Sequence, residues 1–434
     1  VAATFDPGFL EVPEEMLITS MRQHQRYFAF NDANGKLANA FATLAATHVK
    51  DPKLVAEGNQ KVLASRLSDA RFFFGEDVKH TFEEWNATLE SVVFQAKLPK
   101  GANTIGNKVA RIAGIAKDAT SGSPSEQTTV TAARYCKADL ASKAVGEFPE
   151  LQGTMGKHYA NHHGLGQPVA DAIEQHWWPK GQGAELPRTQ EAAIVALADK
   201  MDTIVACFAV GLEPSGSADP FGLRRAAIGI WQILLAYPQL EWAKLFASAR
   251  AQLEAQGVTL KDPTKLEDFF KQRLQGILVE SGIPTQDANA ALERAFQNPV
   301  DARARAQACA KISREAREVF KRIANILDDA RAKKIEIKAQ VNPAKFTSEV
   351  ERTLHTEQAN AAAREEAARA QHNYQAVFES LEQLRPAVAA FFDKGGVMVM
   401  DPDPELRDNR LALLETLIKP YAEIADFRKL GAAQ

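Results

Sequence analysis

Cysteine is scarce. Cys136, Cys207 and Cys309 are the only three in 434 residues, odd in number, far apart and without metal-type spacing. That excludes a disulfide framework and a cysteine-built zinc site, and it fits a reducing compartment. Long apolar runs are also missing. The longest, "AAIGIWQILLAY" from Ala226 to Tyr237, falls short of the roughly 20 residues a membrane span needs, so no membrane association is expected. Neither charge sign dominates: 52 Lys and Arg face 55 Asp and Glu, for a net charge of −3. Any surface for a polyanion must therefore be local. The chain opens on Val1 with neither an initiator methionine nor a charged-then-apolar leader, and an N-terminal truncation is expected.

A hydrophobic content of 45% over this length is enough for two to four domains with their own cores. From Phe9 to about Leu98 the pattern is mixed. "RYFAF", "NDANGK" and "NAFATLAATH" predict a β-hairpin, and "GNQKVLASRLSDARFFFGEDVK" predicts a helix with Val62, Leu63, Leu67, Ala70 and Phe74 on one side. After "KLPKGANTIG" the strand signal disappears, and helical periods broken by Gly, Pro and Ser run to the end. The fold class is mainly α, with a mixed α/β segment over 1–103, a helical domain over 104–300 and a helical bundle over 301–434. "NAAAREEAARA", Asn360 to Ala370, is a strong helix former.

"GSADPFGLRRAAIGIW" predicts a helix capped by Asp219 with Pro220 at its first position. Leu223, Ala227, Ile230, Trp231 and Leu234 form its apolar stripe, Arg224 flanks the stripe and Arg225 faces away. A partly buried arginine needs a carboxylate, so Arg224 is assigned to Asp199 and Asp202, while Arg225 points outward.

Four residue sets could carry chemistry. His158 and His162 in "GKHYANHHG" share a helical face if the segment is helical, but no carboxylate of the HExxH type lies between them. Asp139 and Glu147 on one segment, and Asp199 and Asp202 on another, form a carboxylate layout that resembles the helical HD phosphohydrolases. Where those enzymes have a His-Asp dipeptide, this chain has Ala138 before Asp139. The acids either hold a divalent cation or pair with Lys137, Lys200, Arg224 or Arg225; ion pairing is preferred, and no metal site is assigned. Nucleophilic and nucleotide-dependent chemistry has no support: G-x-S-x-G, a glycine-rich phosphate loop and the strand-borne arginines of a class II aminoacylation core are all missing. No catalytic residue is assigned.

From Asp301 to Lys345 twelve Lys and Arg outnumber six Asp and Glu, so the most basic segment lies here. "KISREAREVFKRIANIL" buries Ile312, Ala316, Phe320, Ile323 and Leu327 and leaves Arg314, Arg317, Lys321, Arg322 and Asn325 around the helix. "ELRDNRLALLETL" adds Arg407 and Arg410 behind the aromatic "AVAAFFDKGGVMVM". Arginine planes beside aromatics are what single-stranded RNA recognition uses.

Taken together, "HQRYFAF", "GNQKVLASRLSDARFFF", "KADLASKAVGEFPELQGTMGKHYA", "LADKMDT", "DPFGLRRAA", "FKRIANIL", "FFDKGGVMVM" and "LRDNRLALL" closely resemble the β subunits of bacterial heterotetrameric glycyl-tRNA synthetases, over their C-terminal two-thirds. The tail is also similar to the helical anticodon-binding domain of arginyl-tRNA synthetase. The resemblance implies a cytoplasmic glycine–tRNA ligase in which an α subunit activates glycine with ATP and magnesium, while this chain holds no cofactor and positions tRNA(Gly). It implies an HD-type central domain associated with the acceptor end through Lys137, Lys200 and Arg225, with Asp139, Glu147, Asp199, Asp202 and Arg224 as structural ion pairs. The last domain would grip the anticodon through Arg314, Arg317, Lys321, Arg322, Asn325, Arg407 and Arg410. Neither a membrane nor DNA is implied as a partner. One departure is Gly395 and Gly396, where a shorter junction is expected before "VMVM". Two other readings compete: a metal-dependent HD-type phosphohydrolase using Asp139, Asp199 and His158, with an appended RNA-binding domain, and a helical scaffold without RNA affinity.

Overall fold

The computed structural model describes residues 1–181, 183–393 and 396–430. Gly395, part of the departure noted above, lies outside them. The chain forms two compact units, the first comprising Val1–Ile233 with Ala243–Pro263 and the second Leu234–Trp242 with Thr264–Gln434. The intervals 1–103 and 104–233 share the first unit, and 264–300 belongs to the second. No helix among the described residues is long and apolar enough to cross a membrane.

The first unit opens on an antiparallel sheet of β1 (Ala2–Thr4), β2 (Phe28–Asn31) and β3 (Leu37–Ala42), in the order β1-β3-β2. The expected hairpin is there. Its turn closes because the Asp32 carboxylate accepts the Asn34 and Lys36 amides at 2.8 and 3.0 Å, while Gly35 takes the left-handed φ of 79° the reversal needs. Phe41 is fully buried and stacks on Tyr27.

The following helix, Pro52–Asp77, starts six residues before the predicted segment, because Asp51 caps it and Pro52 supplies a ready helical φ. Leu63, Leu67 and Ala70 are buried as expected, but Val62 is exposed. At the far end Asp77 is buried, and its carboxylate accepts the amides of Lys143 and Ala144 at 2.8 and 2.9 Å and the Tyr159 hydroxyl at 2.8 Å. One side chain thus closes the long helix onto the helices Lys143–Glu147 and Thr154–His162.

At the centre of the unit runs the helix Gln190–Ala209, apolar over most of its surface and buried along nearly its whole length. A helix this hydrophobic belongs inside a domain. Ile105–Thr120, Glu126–Tyr135 and Gln167–Gln175 pack around it.

The helix carrying the arginine pair runs Leu223–Ala236, three residues later than the sequence predicts. Pro220 lies in the preceding turn, where Gly222 reverses the chain with φ 64°. Asp219 still caps: its two carboxylate oxygens accept the amides of Leu223 and Arg224 at 2.8 and 2.9 Å.

The second unit is a helical bundle. Arg314–Ala332, Glu349–Ala370, Tyr374–Phe392 and Pro404–Ala422 enclose a core built around Phe320, Phe378, Phe391, Tyr421 and Phe427. The stripe Ile312, Ala316, Phe320, Ile323 and Leu327 is buried as its spacing predicts. Ser313 caps the first of these helices through the Ala316 amide.

Removing the Asp77 carboxylate orphans three donors, of which the Ala144 amide and the Tyr159 hydroxyl are buried, so Asp77→Ala should cost about 3 kcal/mol of stability, read as a lower urea midpoint at unchanged slope. A loss below about 0.5 kcal/mol, ordinary for a surface change, would show that this side chain does not fasten the helix.

Candidate nucleic-acid interface

Two groups of charged residues emerge, one buried and one exposed. In the first unit, Asp199 and Asp202 project from the buried central helix and cannot remain there without cations. Lys108 Nζ lies 2.8 Å from Asp199 Oδ1 and 3.1 Å from Asp202 Oδ2, and donates to Thr203 Oγ1 at 2.7 Å. Arg111 donates Nε and Nη2 to the two oxygens of Asp202, at 2.5 and 3.1 Å. Lys137 reaches Asp199 Oδ2 at 2.8 Å, with its ammonium 3.4 Å from the centre of the Trp177 ring. Burial pushes the Asp199 carboxyl upward, but the attraction of Lys108 and Lys137 outweighs it and holds Asp199 well below the usual carboxylate range.

The expected pairing of Asp199 and Asp202 with cations is present, but the partners are Lys137 and two residues the sequence reading missed, Lys108 and Arg111. Their signal was available: they lie three apart in "NKVARIAGI", beside the buried Val109, Ile112 and Ile115. Arg224 does not join them. Its guanidinium donates to the carbonyls of Gly216 and Ala218, because the helix begins late and its first turn folds over the preceding loop. Asp139 is buried and takes no cation directly, accepting the amides of Gly153 and Gly156 at 2.5 and 3.2 Å. Burial raises it to about 6 against those hydrogen bonds. Glu147 is exposed and makes no ion pair among the described residues.

Lys137 and Lys200 were expected to face an RNA acceptor end, and both are buried. Lys200 Nζ donates to the carbonyls of His176 and Trp178 at 3.0 and 2.7 Å, and burial lowers it to about 7. Of the three cations assigned to that end, Arg225 alone is exposed.

The residues of a two-carboxylate metal site do not converge. His158 pairs with Glu15 at 2.9 Å, His162 is exposed, and Asp139 and Asp199 are engaged as described. His176, the histidine in the cluster, donates Nδ1–H to the Ile173 carbonyl at 2.5 Å, and burial with nearby Lys137 favours its neutral form. Two ammonium groups stand against Asp199 where a metal would bring its charge, so the set does not fit a divalent cation. Among the described residues no group of three or more His, Cys, Asp or Glu could hold one.

In the second unit the seven anticodon candidates separate. Arg317 is buried: it pairs with Asp287 at 2.7 Å and donates to the carbonyls of Cys309 and Ile312. Arg410 is also buried, bound to Glu351 at 2.9 Å, Asp401 at 2.7 Å, Thr347 Oγ1 and the Met398 carbonyl. Both arginines have spent their donors inside the bundle and are corrected from RNA contacts to structural clamps. Arg407 is half-buried and chelated by the adjacent Asp408. Arg314 is exposed beside Glu318.

Lys321, Arg322 and Asn325 line one groove of about 390 Å³ together with Glu318, Ile326, Asp329 and Met400. The helical spacing of these positions puts them in register along one ridge. Arg322 lies over the Phe392 ring, 4.5 Å from its centre, and Met398 stands exposed in the segment that follows. A cation and an amide on one helix, beside a partly covered aromatic at the end of another, offer a surface of the kind that suits an unstacked base and its phosphate.

Residues 317–420, within the helical bundle that presents this ridge, match the family model described as the DALR anticodon binding domain. Residues 1–293 match the family model of the glycyl-tRNA synthetase beta subunit. The chain belongs to the glycyl-tRNA synthetase beta subunit family. It is 40% identical over 440 residues to the glycine–tRNA ligase beta subunit of Geotalea uraniireducens and 41% identical over 440 residues to that of Geotalea daltonii. The protein of the same name from Anaeromyxobacter sp. strain K is 40% identical over 449 residues. All of this chain is covered in each case, and it spans 62% of the length of these relatives.

The pH dependence of stability tests the buried cluster. Lys200 sits near 7 in the folded protein and ordinarily at 10.5, so between these values the unfolded chain binds the extra proton and stability rises with pH. The contribution is lost as pH falls through 7. Between pH 7 and 8.5 the parent should gain about 1 kcal/mol per pH unit relative to Lys200→Met in urea unfolding. Parallel profiles for the two proteins would place Lys200 in water.

Proposed function

We propose that this chain is the tRNA-positioning part of a glycine–tRNA ligase β subunit, working in the cytoplasm with an α subunit that supplies ATP- and magnesium-dependent glycine activation and transfer. The observation that carries this reading is the Lys321, Arg322 and Asn325 ridge with Phe392, on a bundle matching an anticodon-binding family. Anticodon bases splayed from their loop would lie along the ridge, with Arg322 contacting phosphate or a base edge and the neighbouring aromatic covering a base face. The acceptor end would approach the first unit at Arg225. The HD-type reading of the central helices is part of this proposal: the arrangement keeps buried acids but answers them with lysine and arginine, so this unit contributes position and no hydrolysis.

Positioning without chemistry has a physical rationale. Holding the 3′ end and anticodon of a long RNA fixes where the reactive hydroxyl meets an activated amino acid on another subunit. Phosphate neutralisation provides most of the affinity, and contacts at the anticodon select the tRNA.

Nitrocellulose-filter binding of labelled tRNA(Gly) to the 434-residue chain tests the proposal. Arg322→Ala should weaken binding about tenfold and reduce the salt slope by about 1, whereas Arg410→Ala should act through a stability loss of about 3–5 kcal/mol. Changing the anticodon should reproduce the effect of Arg322→Ala. Equal affinity for unrelated tRNAs, with no response to Arg322→Ala, would overturn the reading.

A further inference from the structure

The first unit holds a cavity of about 500 Å³ that the anticodon ridge does not use, bordered by Trp177, Lys180, Lys200, Phe221 and Arg225. Its volume is that of a small-molecule site. Two glycines shape it, Gly222 in the turn before the helix and Gly229 within it. A side chain at Gly229 would meet Lys200 Cε and Pro179 Cγ at 3.3 Å, and one at Gly222 would lie 2.9 Å from an Arg225 guanidinium nitrogen. Their lack of side chains lets Lys200 and Arg225 approach the same space.

The charge of the wall is unbalanced. Asp199 borders the cavity, but Lys108 and Lys137 already neutralise it. Glu150 borders it too, from an exposed position. Lys200 spends two of its three donors on carbonyls, and among the described residues Arg225 and Lys180 make no ion pair or hydrogen bond. Such a wall favours an anion. Two further features ask for more than a bare anion. Phe221 is 45% exposed beside Gly222, and Trp177 carries a buried Nε1–H without an acceptor. A planar base offers a face to the first, and a polar atom of base or ribose offers an acceptor to the second.

We propose that this cavity binds one nucleotide, with its phosphate between Arg225 and Lys200 and its base against Phe221. The nucleotide is either a free nucleoside monophosphate or the unpaired end of an RNA strand; the second form rests on the tRNA reading above, the first does not.

Isothermal titration of the 434-residue chain with AMP and GMP, and with orthophosphate alone, tests the site. At least one nucleotide should bind about tenfold more tightly than orthophosphate. Arg225→Ala should weaken nucleotide and orthophosphate alike by about tenfold, and Phe221→Ala should weaken the nucleotide alone. Both side chains are exposed, so both variants should keep the parent unfolding midpoint. A hairpin RNA with a single-stranded 3′ overhang, lacking any anticodon loop, is then added as competitor beside its blunt-ended form. Displacement by the overhang alone assigns the cavity to an RNA end, and no displacement by either assigns it to a free nucleotide. Absence of nucleotide binding, or binding indifferent to both substitutions, would overturn the proposal. An anticodon stem-loop titrated in parallel keeps the two readings apart, since its binding should not change in either variant.

Discussion

A carboxylate inside an apolar helix bundle must be answered by a cation, and the first unit is arranged around that requirement. Asp199 and Asp202 stand on a helix with no solvent-facing side, so the neighbouring helices must bring charge inward. Lys108 and Arg111 arrive from one helix and Lys137 from the segment after another, which ties three parts of the chain to one point. Such a cluster is a modest source of net stability but a strong constraint on arrangement, because losing any one partner leaves an uncompensated buried charge. The same groups exclude divalent-cation chemistry, since the ammonium groups already hold the oxygen ligands a metal would need.

The second unit follows the same rule with a different result. Arg317 and Arg410 sit in buried pairs, which fasten Arg314–Ala332 and Pro404–Ala422 to their neighbours and use up the guanidinium donors. What is left for a ligand is a shorter set, Lys321, Arg322 and Asn325, held on a helix whose opposite face is pinned by Phe320, Ile323 and Leu327. Burial of one side of the helix makes the other side a rigid platform, and a rigid platform loses little entropy when a ligand docks.

The sequence alone was sufficient for local features. The hairpin was legible in its turn residues, the helix stripes in their period, and the Asp219 cap in its chemistry even though the helix begins three residues later. Partner choice was much less legible, because it is long-range: Arg111 and Asp202 are 91 positions apart, and nothing local says that they meet. Burial of two arginines was nevertheless readable. Arg317 is adjacent to Ala316 and three residues before Phe320, at the edge of the stripe, and Arg410 heads the run Leu413, Leu414, Leu417 and Tyr421. Counting cations in a basic segment treats all of them as surface; placing each on the helical wheel separates clamps from contacts. The family resemblance suggests an RNA partner but could not make that separation.

The central claim is that the cations of this chain divide into buried clamps and an exposed RNA-facing set. Arginine modification by phenylglyoxal, read by mass spectrometry with and without tRNA(Gly), tests it residue by residue. The account predicts that Arg322 reacts in the free protein and is protected by the tRNA, while Arg111, Arg317 and Arg410 stay unreactive in both states. Ready modification of Arg317 or Arg410 in the folded free chain, with protection by tRNA, would contradict it.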